Sequence, residues 1–150
     1  MQKISDFMTR NVQVVRPDEN LRRAAQVMDE LNVGSLPVCD QTGLVGMITD
    51  RDITVRATAA GLSGDTLIFD VMTDHARSCT GEQSVQEAMQ QMAEVQIRRL
   101  PVVDSQHRVV GIVSLGDLAM RHSGHVAAAL RRISDPSMPD RPTNAARWIT

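Results

Sequence analysis

The sequence predicts an α/β fold of the α+β kind, made of two βαββα units that pack with pseudo-twofold symmetry. Three observations predict it. An internal repeat fills most of the chain, each copy has apolar residues at helical spacing, and each copy then has two strand-like runs joined by a turn. At 150 residues the chain is long enough for one ordinary domain or two half-size units with a real core.

The internal repeat is visible in two blocks that share one register. Residues 6–9 (DFMT) recur 64 positions later at 70–73 (DVMT), and residues 36–40 (LPVCD) recur at the same distance at 100–104 (LPVVD). After the second block the distance grows by one residue, because the turn that follows is longer in the second copy. One sequence unit has therefore been used twice.

Each copy is predicted to hold the same elements in the same order. Residues 12–15 are a β-rich run, the apolar residues of 21–31 recur at helical spacing, and residues 36–40 and 44–49 are typical of hairpin strands. Residues 50–60 then predict a closing helix that ends at Gly61. A helical crossover makes the first strand pair parallel and the hairpin makes the last pair antiparallel, so we expect a mixed three-stranded sheet.

The expected domain organisation follows from the repeat. It consists of a first repeat, a second repeat and a C-terminal segment, at 1–61, 62–122 and 123–150. Within the last segment, residues 126–133 predict a short basic helix, and the prolines after it predict an extended tail. The tail either packs across a dimer with Trp148 as an anchor or forms a free end.

Composition argues against several classes of protein. A formal net charge of −2 and an aromatic content of 2% supply neither a basic patch nor stacking surfaces for nucleic acid. The chain has no run of 18 apolar residues to span a bilayer and no signal-peptide apolar region, so we expect a cytoplasmic protein. Cys39 and Cys79 lack metal-ligand spacing and are expected to fill core positions.

The pattern that carries the chemistry occurs once per copy, where a strand is followed by a helix. Residues 46–52 (GMITDRD) and 111–117 (GIVSLGD) each have a glycine, two apolar residues, a hydroxyl, two variable residues and an aspartate. The hydroxyl and nearby amides could bind phosphate, and the aspartate could accept hydrogen bonds from ribose. The glycine would let a ligand or a backbone approach closely. The same spacing is also that of an ordinary capping box, which needs no ligand.

Because the Leu-Pro step, the strand glycine and the hydroxyl-to-aspartate spacing all occur twice in one order, residues 1–122 resemble a tandem pair of CBS domains. This regulatory module is named for cystathionine β-synthase. The resemblance implies a pseudo-symmetric disc with up to two clefts for adenosyl ligands such as AMP, ADP, ATP, NAD or S-adenosylmethionine. It also implies a homodimer that senses adenine nucleotides, signals to a separate protein and is not an enzyme. The alternative is a structural dimerisation module whose clefts are vestigial and empty.

The resemblance assigns site residues position by position. Thr49 and Asp52 would contact phosphate and ribose in one cleft, and Ser114 and Asp117 would do so in the other. The adenine would be cradled by the main chain around 14–16, with Val15 and Arg16, and around 78–80, with Cys79 and Thr80. The Leu36-Pro37 and Leu100-Pro101 steps would complete the cradle.

Basic residues make the two predicted clefts unequal. Arg98 and Arg99 stand just before the second Leu-Pro step, where the family often places phosphate-binding residues, whereas the first copy has Gly34 and Ser35. The pair either meets a ligand phosphate or forms a solvated strand end. Arg51 is a weaker candidate, because the second copy has a glycine at that position.

Two further groups contain residue types that occur in metal or catalytic sites. His122 and His125 have a metal-like spacing, but no nearby carboxylate or cysteine completes a site and Gly124 argues against a continuous helix, so no metal is expected. Asp50 and Asp52 could exchange protons, yet the sequence positions no histidine, cysteine or lysine beside them. No catalytic residue is predicted.

Overall fold

The computed structural model describes residues 2–119 and 123–134, which form two compact units. The first unit contains residues 14–40 and 45–74, and the second contains the remaining described residues, 2–13, 41–44, 75–119 and 123–134. These units differ from the sequence repeats 1–61 and 62–122, because the opening residues of each repeat belong to the unit built on the other. The repeat is thus a unit of sequence rather than a unit of packing.

The first unit contains the helix and hairpin that its repeat predicts. Its elements are α1 (Leu21–Leu31), β1 (Ser35–Asp40), β2 (Gly43–Thr49), α2 (Asp50–Asp52), a π-helical segment (Ile53–Thr58) and β3 (Thr73–Asp74). The Asn20 side chain caps α1 by accepting the Arg23 N–H at 2.9 Å. Asn32 ends α1 in the left-handed region with φ 54°.

The outer strands of the first unit's sheet differ from the predicted ones. The strand order is β1-β2-β3, and β3 pairs antiparallel to β2 with Thr73 opposite Met47. The predicted strand at 12–15 is reduced to a single parallel bridge between Val15 and Val38. The third strand therefore comes from the opening residues of the second repeat, which the sequence pattern did not predict.

The second unit follows the predicted order more closely. Its elements are β4 (Cys79–Thr80), α3 (Val85–Val95), β5 (Arg99–Val103), β6 (Val109–Ser114), α4 (Leu115–Ala119) and α5 (Ser123–Ser134). β4 is parallel to β5 and β5 is antiparallel to β6, as the crossover and hairpin predict. A register shift between Val102 and Val103, together with the longer turn, absorbs the extra residue of this copy.

The last helix is longer than the sequence indicates. α5 begins at Ser123 and includes Gly124, so the prediction that this glycine interrupts the helix was wrong. Ala129 is buried in the core of the second unit, and Ile133 packs against that core. The proline-containing tail and Trp148 lie outside the described residues.

Each unit has its own aliphatic core. The first core consists of Val15, Leu21, Ala24, Val27, Met28, Leu36, Val38, Ile48, Ala57, Ile68, Val71 and Met72. The second consists of Ile4, Cys79, Val85, Ala88, Met89, Met92, Ala93, Leu100, Val102, Val113, Leu115, Leu118 and Ala129. Cys79 fills a core position as predicted, whereas Cys39 is only half-buried. Among the helices that the structure describes, none combines the length and apolar character needed to cross a membrane.

Candidate ligand-binding site

The strand-to-helix end of the first unit is a reciprocal cap between Thr49 and Asp52. The Asp52 N–H donates to Thr49 Oγ1 at 3.0 Å, and the Thr49 N–H donates to Asp52 Oδ2 at 3.0 Å. The other carboxylate oxygen, Oδ1, lies 3.8 Å from Arg56 Nε. Burial raises the pKa of Asp52 above its ordinary value, and Arg56 and the Thr49 hydrogen bonds oppose that rise. With its side chain only 13% exposed, Asp52 is largely buried rather than turned into bulk water.

The second unit has the same cap at the same place. The Asp117 N–H donates to Ser114 Oγ at 3.1 Å, and the Ser114 N–H donates to Asp117 Oδ2 at 2.9 Å. Both residues are half-buried. The motif therefore forms a capping box in both units. In each cap one carboxylate oxygen and the hydroxyl proton take no part, so the cap leaves polar atoms for a ligand.

The strand glycine of each motif makes room for a backbone. A β-carbon placed on Gly46 would lie 2.5 Å from the Thr73 carbonyl oxygen, and one placed on Gly111 would lie 2.8 Å from the Thr9 carbonyl oxygen. Of the two explanations that the sequence left open for these glycines, the structure shows close approach of a neighbouring chain segment.

In each unit the Leu-Pro step lies on a strand beside the main chain proposed to cradle adenine, which is β4 in the second unit and a single bridge at Val15 in the first. In the first unit the Val15 N–H donates to Pro37 O at 3.0 Å, and Leu36 and Pro37 are buried. In the second unit Cys79 lies opposite Val102, and its thiol donates to Pro101 O at 3.8 Å. Burial raises the pKa of the Cys79 thiol to about 11, so this thiol is neutral at physiological pH. Each buried Leu-Pro step thus lies beside the main chain that the resemblance assigns.

Two of the predicted main-chain contacts already have partners. The Arg16 N–H donates to Glu19 Oε1 at 2.8 Å, and the Thr80 N–H donates to Gln83 Oε1 at 2.8 Å. An adenine edge would have to compete with these turn hydrogen bonds. Arg16 and Thr80 are exposed, so both turns are open to solvent.

Arg98 and Arg99 lie directly beside the cap of the second unit. Arg99 is the strand partner of Ser114, and the Leu115 N–H donates to Arg98 O at 2.8 Å. Pro101 follows two residues later, about 7 Å along the strand. Both guanidinium groups are exposed and form no ion pair or hydrogen bond with residues that the structure describes. The cap and the exposed arginines are therefore neighbours in the second unit, and the buried Leu-Pro step follows them on β5.

Sequence reasoning missed the part that Asp50 plays in the first unit. Asp50 Oδ1 accepts the Arg51 N–H at 2.8 Å, and Asp50 Oδ2 lies 3.0 Å from the position that a β-carbon on Gly34 would occupy. The second unit has Leu115 in the place of Asp50. This difference between the two repeats, aspartate in one and leucine in the other, is the sequence signal that could have identified Asp50.

Arg56 is a second residue whose contacts the sequence did not reveal. Its Nη1 lies 3.3 Å from the carbonyl oxygens of Val71 and Met72 and from Thr73 Oγ1. It therefore joins Asp52 to the segment that carries β3. Its repeat counterpart, Arg121, lies outside the described residues.

Metal ligation has no support from the described side chains. Residues 2–119 and 123–134 contain no group of three or more His, Cys, Asp or Glu side chains placed to hold a metal ion. His122 and the side chain of His125 fall outside the described part of the chain.

A family model described as CBS domain matches residues 4–57 and 68–124. The chain belongs to the CBS domain family. The "CBS domain-containing protein YhcV" of Bacillus subtilis is 45% identical over 136 residues, which cover 89% of this chain and 96% of that protein. "Hypoxic response protein 1" of Mycobacterium tuberculosis is 43% identical over 119 residues, which cover 78% and 82%. A crystal structure of the latter protein is described with two coordinated zinc ions, and it matches with a TM-score of 0.74 at 38% identity.

Solved CBS domain pairs with bound adenosyl compounds are also similar to this one. The pair of protein MJ0100, in complex with methylthioadenosine and S-adenosylmethionine, matches with a TM-score of 0.72 at 27% identity and covers 83% of this chain and 98% of its own. CBSX2 in complex with AMP matches with a TM-score of 0.68 at 28% identity and covers 87% and 98%.

Proposed function

We propose that this CBS domain pair is a regulatory module that binds an adenosyl ligand at the strand-to-helix end of each unit. AMP, ADP and ATP are the first candidates, with NAD and S-adenosylmethionine as further ones. Binding changes the conformation of the pair, and a separate protein reads that change. The module acts without catalysing a reaction, in the cytoplasm and as a homodimer.

One observation carries the proposal: both units keep a hydroxyl and a carboxylate in the same reciprocal cap, next to a buried Leu-Pro step. A cap alone needs only one carboxylate oxygen, so the second oxygen can accept from ribose. The hydroxyl can still donate to a phosphate or a sugar. The similar pairs described with AMP, methylthioadenosine and S-adenosylmethionine support adenosyl compounds as the ligand class.

The contacts expected of each residue follow from this arrangement. Asp52 and Asp117 would accept from the ribose hydroxyls, while Thr49 and Ser114 would donate to the 5′ substituent. The buried prolines Pro37 and Pro101 would pack against the adenine face. Arg98 and Arg99 would meet a phosphate.

The test is a thermal unfolding titration of the full chain, freed of copurified nucleotide, with AMP, ADP, ATP, NADH and S-adenosylmethionine. A ligand at a hundred times its Kd should raise the free energy of unfolding by about 2.7 kcal/mol. Asp52→Ala and Asp117→Ala should each remove binding at one site. Asp65→Ala is the matched control, since the exposed Asp65 carboxylate pairs with Arg22 at the surface. No shift with any of the five compounds at millimolar concentration would contradict the proposal.

The second candidate function is a structural dimerisation module with empty sites. The observation that favours it is the cap itself, because every first-turn amide of the first unit already has a partner inside the protein. In that case Asp52→Ala and Asp117→Ala would lower stability by about 0.5–2 kcal/mol and change no ligand response. Light scattering would still give the mass of a dimer.

A further inference from the structure

The strand-to-helix ends of the two units carry opposite charge although they share one cap. In the second unit Arg98 and Arg99 stand at the start of β5, and the buried, apolar Leu115 begins α4. In the first unit Gly34 and Ser35 stand in place of the arginines, and Asp50 stands in place of the leucine. The same cap is therefore surrounded by cations in one unit and by an extra carboxylate in the other.

The two ends also differ in their supply of amide donors. The Arg51 N–H is taken by Asp50 Oδ1 at 2.8 Å. The corresponding amide in the second unit, that of Gly116, has no acceptor among the described residues, and Gly116 is exposed. A β-carbon on Gly116 would meet only Ser114 Oγ, at 3.7 Å. The Gly116 N–H of the second unit can therefore donate to an anion. In the first unit the corresponding Arg51 N–H already donates to Asp50.

The remaining groups of the first unit agree with this difference. Arg51 supplies a cation, but it is flanked in sequence by Asp50 and Asp52, and Arg56 is already 3.8 Å from Asp52. Ser35 Oγ is buried without a hydrogen-bond partner among the described residues. A phosphate brought here would meet two carboxylates, whereas an uncharged or cationic group would not be repelled.

We propose that the second unit selects adenosyl ligands that carry a phosphate, and that the first unit selects adenosyl ligands without one. The latter class includes nucleosides, thioethers and sulfoniums. Asp50 sets this difference in ligand class, because its carboxylate is negatively charged and already accepts the hydrogen bond of the Arg51 N–H. This inference rests on the proposed function and assigns a ligand class to each of its two sites.

Isothermal titration of the full chain with AMP and with methylthioadenosine tests the assignment. Wild-type protein should bind about one AMP and about one methylthioadenosine per chain, without mutual competition. The double variant Arg98→Gly with Arg99→Ser copies the first unit and should weaken AMP binding about tenfold or more, since it removes charge-assisted hydrogen bonds. Arg108→Ser is the matched control, because Arg108 lies at the opposite end of the β5–β6 hairpin and should change AMP affinity less than about twofold.

The reciprocal variants act on the first unit. Asp50→Leu copies the second unit and should add a second AMP site per chain, and Gly34→Arg on that background should tighten the new site further. Asp50→Asn removes the charge but keeps an oxygen for the Arg51 amide, so its gain in AMP affinity should be smaller. Melting temperatures of the unliganded variants verify that each one folds.

The outcomes separate the two proposals. If wild-type protein binds AMP equally at both sites, or if Asp50→Leu leaves AMP binding unchanged while methylthioadenosine still binds, the assignment is overturned and the proposed function stands. Loss of AMP binding in the arginine double variant together with a new AMP site in Asp50→Leu supports the assignment. If neither compound binds wild-type protein at millimolar concentration, both proposals fail.

Discussion

The two units share a repeated helix, hairpin and cap, but they differ at the surface that we propose binds ligand. Each has a fully buried Leu-Pro step, a strand glycine beneath a neighbouring backbone and a reciprocal hydroxyl-carboxylate cap. They differ at Gly34 against Arg98 and at Asp50 against Leu115. The shared residues make contacts inside a unit, where a change costs packing energy. Of the differing residues, the two charged ones, Arg98 and Asp50, are exposed, whereas Leu115 is buried in the core of the second unit. The comparison indicates that the scaffold and the ligand preference can vary separately.

Truncating the shared core leucine should give the largest effect and tests whether the two cores are equal. Leu36 is 2% exposed and Leu100 is 0% exposed. Leu36→Ala and Leu100→Ala should each lower the free energy of unfolding by about 2–5 kcal/mol, because each leaves a cavity. Urea unfolding followed by circular dichroism measures this. Val110→Ala, at a residue 37% exposed, is the control and should cost less than about 1 kcal/mol. A cost below that value for either leucine would mean that its unit repacks.

Adding a methyl group to the strand glycines should give the next largest effect and should distinguish the units. Gly46→Ala would bring a β-carbon 2.5 Å from Thr73 O, and Gly111→Ala would bring one 2.8 Å from Thr9 O and from Met8 Sδ. Both should destabilise by about 1–3 kcal/mol through overpacking, with Gly46→Ala the more costly. Thermal melts of the two variants provide the ranking. Equal stability of Gly46→Ala and the parent would show that β3 moves away from β2 at little cost.

Removing the caps of the two long helices should have a smaller effect of similar size in both units. Asn20 accepts the Arg23 N–H at 2.9 Å at the start of α1, and Ser84 accepts the Glu87 N–H at 3.1 Å at the start of α3. Replacing either by alanine should cost about 0.5–2 kcal/mol. Asn20→Ser and Ser84→Asn exchange the two cap types and should restore most of the loss in denaturant unfolding. A full loss in the exchanged variants would mean that the two caps are not equivalent.

The smallest effect concerns the charge on Asp52. Burial raises the pKa of this carboxyl, so its ionised form is less stable in the fold than in the unfolded chain. The contribution of Asp52 to stability is therefore present below its ordinary pKa of 3.8 and is lost as the pH rises through the raised value. Asp52→Asn stays neutral and keeps an oxygen for the Thr49 N–H. Its free energy of unfolding, relative to the parent, should increase from acid to neutral pH. A flat or opposite dependence in pH-resolved urea melts would contradict this.

Much of the fold and of the candidate site could be predicted from local sequence. The two long helices, both hairpins and the hydroxyl-to-aspartate pairs were predicted correctly, because each depends on residues close together in the chain. The first strand of the first copy was overpredicted, since Val12 to Val15 suit a strand but only Val15 pairs. The contacts of Arg56 were missed because Val71 and Met72 are distant in sequence.

The sequence by itself determined the repeat, its helices and hairpins, and the cap in each copy, because spacing along the chain sets which groups can meet within one turn or one hairpin. Only the tertiary structure decided which segment packs into which core. Ile4 and Ile68 are corresponding residues, and each is fully buried in the unit built on the other repeat. Both repeats offer an apolar core of the same kind, so local pattern favours neither choice, and long-range packing decides it. The same holds for Asp50, whose carboxylate acquires its role from the chain at Gly34.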